Sequence, residues 1–161
     1  MHLAQFNIGT LKYDWDDPRV ADFANNLDRV NGIARRSSGF VWQLPEEAME
    51  AAQLDPDGPL GGNPRIASTL SVWEDAQSLE NFVWNTVHKQ FYDRKHEWYD
   101  PAEQGVRLVM WWVAPGHHPS IDEAAARLDH LSRHGDSDHA FGWAHLAGAR
   151  RWKSAQCGKV A

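Results

Sequence analysis

Leu108-Val109-Met110-Trp111-Trp112-Val113 is the most apolar run of the chain, inside a segment, 107–114, that Pro115-Gly116 ends. Its length suits a strand, and every position carries an apolar side chain. Strand side chains alternate, so Leu108, Met110 and Trp112 face one way while Val109, Trp111 and Val113 face the other. A sheet containing this strand has to be covered on both faces.

Working outward, residues 2–8 read as a first strand, with Ala4, Phe6 and Ile8 on one face and Leu3, Gln5 and Asn7 on the other. Asp17-Pro18 has the form of an N-cap followed by proline at the first helical position. Val20, Phe23, Ala24, Leu27, Val30 and Ala34 then recur at helical spacing, and that helix ends before Ser38-Gly39. Residues 40–44 are a second strand and 65–73 a third. Between them, 45–64 is rich in Pro, Gly and Asp and reads as a long site-shaping loop with one or two helical turns over 46–53. Asp75 caps a helix carrying Leu79, Phe82, Val83, Val87 and Phe91, continuing with a bend to Trp98-Tyr99 before Asp100-Pro101. After the apolar strand, Ser120 to Glu123 has the form of a capping box and opens a helix through Ala124, Leu128 and Leu131 to His134-Gly135.

The order β-α-β-β-α-β plus a C-terminal helix predicts an α+β fold of the ferredoxin-like plan, an antiparallel sheet with helices on one face. The doubly apolar strand then needs cover on the sheet's other face. A second copy of the sheet, packed face to face in a homodimer, is the simplest cover; the alternative is the C-terminal segment of the same chain. Residues 1–145 form one domain on this reading, and 146–161, with Arg150-Arg151-Trp152-Lys153, a loose tail.

Composition narrows the function. A net charge of -6 argues against a nucleic-acid partner, which would call for a basic stripe. A single cysteine, Cys157, forms no internal disulfide. The N-terminus lacks a signal-peptide pattern and no stretch approaches the roughly 20 apolar residues of a membrane span, so the expected setting is cytoplasmic with no membrane partner. Nine tryptophans point to dense aromatic packing or to a pocket for a flat apolar ligand.

Several segments together resemble a bacterial domain family of unknown function within the dimeric α/β-barrel superfamily. They are Ala4-Gln5-Phe6-Asn7, Ser38 to Leu44, Ser71-Val72-Trp73-Glu74, His88 with Arg94 and Glu97-Trp98, and Trp111-Trp112-Val113 with Gly116-His117 and Pro119. The superfamily includes antibiotic-biosynthesis monooxygenases, haem-degrading monooxygenases and muconolactone isomerases. The resemblance therefore implies a dimeric α/β barrel hosting cofactor-free oxygenation, isomerisation or cyclisation, but fold alone names no reaction. In the haem-degrading relatives an Asn on strand one is functional, which Asn7 matches. Their Trp could be represented by Trp84, but where they carry an iron-ligating His this chain has Arg94, so the haem triad is incomplete.

The residues themselves suggest roles. Gln5 and Asn7 share a strand face, where buried amides can orient a polar group of a ligand. Trp84, His88 and Tyr92 follow at one-turn intervals, and a histidine among aromatics is favoured neutral, as a general base requires. The alternative for His88 is a hydrogen bond to a loop or carbonyl with no chemical role. Arg94 and Trp98 have the spacing of a guanidinium stacked on an indole, or Arg94 holds a substrate carboxylate or enolate. Trp42, Trp73, Trp111 and Trp112 suit the core or a dimer interface; Trp42, Trp73 and Trp112 are also candidates for a substrate wall, and alternation does not decide which of Trp111 and Trp112 faces a pocket. His130 and His134 have a metal-ligand spacing, but no carboxylate or cysteine completes a set, so no metal is expected. No phosphate-binding Gly-rich loop and no Gly-x-Ser-x-Gly elbow is present. The resulting expectation is a small-molecule enzyme with an aromatic pocket, in which His88 is the base, Asn7 and Gln5 place a carbonyl and Arg94 stabilises negative charge. Its partner would be a small apolar or aromatic metabolite, and it would use no cofactor, haem being the alternative. A non-catalytic ligand-binding protein is the alternative class.

Overall fold

A computed structural model describes residues 1–105 and 107–146; the expected tail and Cys157 lie outside them, apart from Leu146. Strand β1 spans His2–Thr10 and is followed by a 3-10 turn, Pro18–Val20, and helices α1 (Ala21–Ala24) and α2 (Leu27–Arg36). Then come β2 (Phe40–Gln43), α3 (Glu46–Leu54), β3 (Ile66–Trp73), α4 (Ala76–Asn85), α5 (His88–Asp93), α6 (Lys95–Trp98), β4 (Arg107–Val113) and α7 (Ile121–His134). All neighbouring strands are antiparallel in the order β2-β3-β1-β4. This is the ferredoxin-like α+β arrangement that the order of elements predicts.

Local chemistry explains the breaks. Asp17 caps the first turn by accepting from Arg19 N at 2.9 Å, with Pro18 following. The expected single helix is interrupted at Asn25-Asn26 because the Asn26 side chain donates to the Asp22 carbonyl at 2.7 Å. The Asn26 backbone N–H turns instead to Phe23 O. The long second helix is likewise divided. Thr86 donates its hydroxyl to Phe82 O at 2.6 Å and accepts from His88 N at 3.2 Å, which ends α4 and starts α5. Within the expected loop 45–64, the helical turns extend to the nine-residue α3.

The two sheet faces carry different covers. On one, Leu3, Trp73 and Met110 pack with Ala34 of α2 and with Leu79, Phe82 and Val83 of α4. On the other, Ala4, Phe6, Val109, Trp111 and Val113 pack with Met49 of α3 and Ala124 of α7, while Leu128 and Leu131 add to the cluster. The face that was expected to need a second copy is thus closed by the chain's own helices. Val109 and Trp111 are 0 % exposed in a single subunit. The amphipathic α7 supplies this cover because its cap and anchor hold it there. Ser120 accepts from Glu123 N at 3.1 Å, and the Glu123 carboxylate accepts from Trp111 Nε1 at 2.9 Å. Only half of the expected capping box forms, since that carboxylate is spent on Trp111 and on His117 Nε2 at 2.7 Å. The apolar strand is therefore covered on both faces within one chain. Beyond α7, Phe141 pairs with Met110 through two backbone hydrogen bonds of 2.8 and 2.9 Å, closing the β4 edge. No helix among the described residues is long and apolar enough to cross a membrane.

Candidate functional site

The helices over the Leu3/Trp73 face do not fill the space above the sheet. A cavity of about 560 Å³ lies there and runs to the β3 edge that the short β2 leaves beside α3. Its walls are aromatic: Phe23, Phe82, Phe91, Tyr92, Trp98 and Tyr99 are among them. Its sheet side is polar, because strand alternation places Gln5 and Asn7 of β1 on the same face as Thr69 and Ser71 of β3, and the register pairs Gln5 with Ser71 and Asn7 with Thr69.

These four side chains form one network. Gln5 Nε2 donates to Ser71 Oγ at 2.8 Å and to Thr69 Oγ1 at 3.3 Å. Asn7 Nδ2 donates to Thr69 Oγ1 at 2.8 Å and to Gln5 Oε1 at 3.3 Å. The Trp73 indole, a donor only, reaches Ser71 Oγ at 3.0 Å. Nearby, Gln43 Nε2 donates to Asn31 Oδ1 at 3.2 Å, while its buried Oε1 accepts nothing among the described residues.

His88 is in the cavity wall, with its ring 4.9 Å from Phe82 and 6.4 Å from Tyr92, centroid to centroid. Its Nδ1 lies 3.2 Å from the Val83 carbonyl oxygen. A carbonyl only accepts, so Nδ1 carries the proton and Nε2 of the neutral ring holds the lone pair. Burial pushes the His88 pKa below its ordinary 6.5, against a smaller upward pull from the Val83 carbonyl. The carbonyl bond of the alternative expectation is therefore present, and Nε2 has no partner among the described residues. Tyr99, also lining the cavity, has its phenol pKa pushed up by burial and stays protonated.

Of the expected site residues, Asn7, Gln5, Trp73, His88, Tyr92 and Trp98 border the cavity. The others lie elsewhere. Arg94 forms a two-bond pair with Glu97 at 2.7 and 3.1 Å and bonds Asp22 at 3.0 Å. These carboxylates raise its pKa, and its guanidinium carbon sits 4.8 Å over the Trp98 ring, the stacked arrangement expected as its structural role. Trp42 stacks on His118 at 4.7 Å and packs with the cluster on the opposite face. Trp84 meets Tyr92 and Trp143 at 4.9 and 6.0 Å, and Trp112 meets Phe141 at 5.9 Å. Tyr92, whose ring meets both Trp84 and His88, borders the cavity, whereas Trp84 does not. With Trp84 off the cavity wall and Arg94 at the surface, Asn7 alone of the positions compared with the haem-degrading relatives borders the cavity. His130 lies close to His134 and His139, with centroids 4.6 and 4.5 Å apart. No group of three or more metal-ligating side chains among the described residues could hold an ion.

Sequence reasoning passed over Thr69 and Ser71. The signal was present: Ala67, Thr69, Ser71 and Trp73 alternate along β3 as Gln5 and Asn7 do along β1, but only the pairing of the two strands joins the polar positions.

The pattern of a domain of unknown function, DUF3291, matches residues 2–157. No curated protein matches the chain. Among solved structures, a conserved protein from Methanosarcina mazei Go1 is similar at 14% identity and a TM-score of 0.49, covering 71% of this chain and 94% of that one. A protein from Pseudomonas aeruginosa is similar at 14% identity and a TM-score of 0.48, covering 70% and 94%. SnoaB from Streptomyces nogalater, a cofactor-independent oxygenase, is similar at 13% identity and a TM-score of 0.46, covering 74% and 98%.

Proposed function

The chain belongs to the DUF3291 family, and from that premise we propose that it is an enzyme that removes a proton from a small, largely apolar molecule held in the aromatic cavity. One observation carries the reading: His88 borders the cavity with Nδ1 fixed on the Val83 carbonyl and Nε2 free to accept a proton. Its lowered pKa keeps that nitrogen unprotonated at neutral pH. The aromatic side chains of the wall favour flat apolar ligands. Proton abstraction is the step shared by isomerisation, cyclisation and cofactor-free oxygenation, so the reading names the step and leaves the later fate of the carbanion to the substrate. The second reading, a binding protein without chemistry, draws on the aromatic part of the wall.

The test uses three naphthyl carbon acids of similar shape: 2-acetylnaphthalene, 2-naphthylacetonitrile and 2-(nitromethyl)naphthalene. Each is incubated with the protein in D2O, and exchange at the acidic carbon is followed by NMR. The expected result is exchange above the buffer rate for at least one of them, lost in His88→Ala. Binding of all three with exchange no faster than in buffer would overturn the proposal in favour of a binding protein.

A further inference from the structure

The network on the cavity floor has an unequal balance of donors and acceptors. Both N–H bonds of the Gln5 amide and both of the Asn7 amide are used within it. Ser71 Oγ accepts twice, from Gln5 and from the Trp73 indole, and Thr69 Oγ1 accepts twice, from Gln5 and Asn7. In these orientations the two amides agree with each other, since turning Gln5 over by itself would set its N–H group against that of Asn7. A hydroxyl that accepts twice has only its proton left to give. Neither proton has an acceptor among the described residues; Thr69 and Ser71 both border the cavity, and their hydroxyls meet at the same Gln5 nitrogen.

We infer that the Ser71 and Thr69 hydroxyls form a paired donor site for one oxygen atom of the ligand, and that the ligand class is a carbonyl compound. This inference rests on the proposed proton abstraction and deepens it. The C–H bond next to the carbonyl breaks, its proton passes to His88 Nε2, and its electron pair moves into the carbon–carbon bond to leave an enolate oxygen. That oxygen gains negative charge beside two hydroxyl protons already oriented by the amides and the indole, so the stabilisation requires little reorganisation. Gln5 and Asn7 act as positioning residues here, since their own donors are spent.

The first measurement uses the unaltered protein. 2-Acetylnaphthalene and 2-isopropenylnaphthalene share one shape, but the second has a methylene in place of the oxygen and would leave both hydroxyls unpaired. Binding is read by quenching of tryptophan fluorescence. The expected result is that the ketone binds about tenfold more tightly, the cost of stranding buried donors. Equal affinities, or binding of neither, would overturn the inference. The second measurement follows that preference in variants. Thr69→Val and Ser71→Ala should each reduce it, while Thr69→Ser should keep it; a preference unchanged in both deletions would overturn the assignment to these residues. Should the deletions not fold, the ligand pair in the unaltered protein still decides. The two readings fail separately. Exchange of at least one carbon acid without a ketone preference rejects the donor pair alone, whereas a ketone preference without exchange of any rejects the base chemistry alone.

Discussion

His88 Nδ1 sits 3.2 Å from the carbonyl oxygen of Val83, five residues earlier and across the break between α4 and α5. In an unbroken helix the His88 backbone N–H would point at the carbonyl four residues back; here it bonds the Thr86 hydroxyl, and the ring folds back onto Val83. The backbone interruption thereby selects the tautomer.

That tautomer leads to a pH prediction for catalysis. Because burial holds the His88 pKa below 6.5, kcat/KM for the reactive carbon acid should fall on an acid limb centred below pH 6.5. Asn7→Ala should lower the rate without moving the limb. His88→Ala should lower the rate about 100-fold or more and abolish the limb. Steady-state rates from pH 4.5 to 8 check this.

A linked prediction concerns stability. The folded pKa of His88 lies below the unfolded value of 6.5, so the unfolded chain binds more protons between the two. Stability contributed by the neutral ring is complete above pH 6.5 and is lost as pH falls from 6.5 toward the folded pKa. Urea midpoints measured over pH 5 to 8 should decline toward acid, and His88→Gln should flatten that decline. Parallel profiles for the two proteins would show that His88 does not contribute.

The closure of the second face by α3 and α7 can be tested through assembly. Val109→Asp buries a charge in a site already 0 % exposed in one subunit, and it should unfold the chain rather than release a folded monomer. Glu123→Ala removes the acceptor of the buried Trp111 indole and should cost about 1–3 kcal/mol. Circular dichroism and sedimentation velocity together distinguish unfolding from dissociation.

Gly39 provides a test of the turn into β2. Its φ is +79°, and a Cβ there would overlap the side chain of Ser78 on α4. Gly39→Ala should cost about 1–3 kcal/mol through overpacking, with the positive φ adding to the loss. Gly39→Ala combined with Ser78→Gly should recover part of it, leaving the backbone contribution. Thermal melts of the three proteins report the partition.

Much of this molecule follows from local pattern. Alternation in β1 separates Ala4, Phe6 and Ile8 from Leu3, Gln5 and Asn7, and the two groups do lie on opposite sheet faces. Asp17, Asp75 and Ser120 cap the helices that their positions announce. The order of strands and helices is enough to specify the ferredoxin-like plan, because short connections and twist leave few other arrangements. His88, Asn7 and Gln5 could be named as candidates because their residue types and neighbours are local facts.

Tertiary structure alone decided what those residues meet. A strand apolar on both faces demands two covers, but hydrophobic burial is non-directional, so Leu108 to Val113 carries no information on whether a second copy or α7 supplies one. Spacing put Trp84, His88 and Tyr92 on one face, and Tyr92 does meet both, but the chain breaks at Thr86 and only His88 and Tyr92 border the cavity. Arg94 had two uses open to it, and Asp22, 72 residues away, occupied its guanidinium together with Glu97. The donor pair of Ser71 and Thr69 exists only because β1 and β3 align with Gln5 opposite Ser71. Hydrogen-bond saturation belongs to the whole network across chain-distant strands, and the sequence alone does not show which protons will be left over.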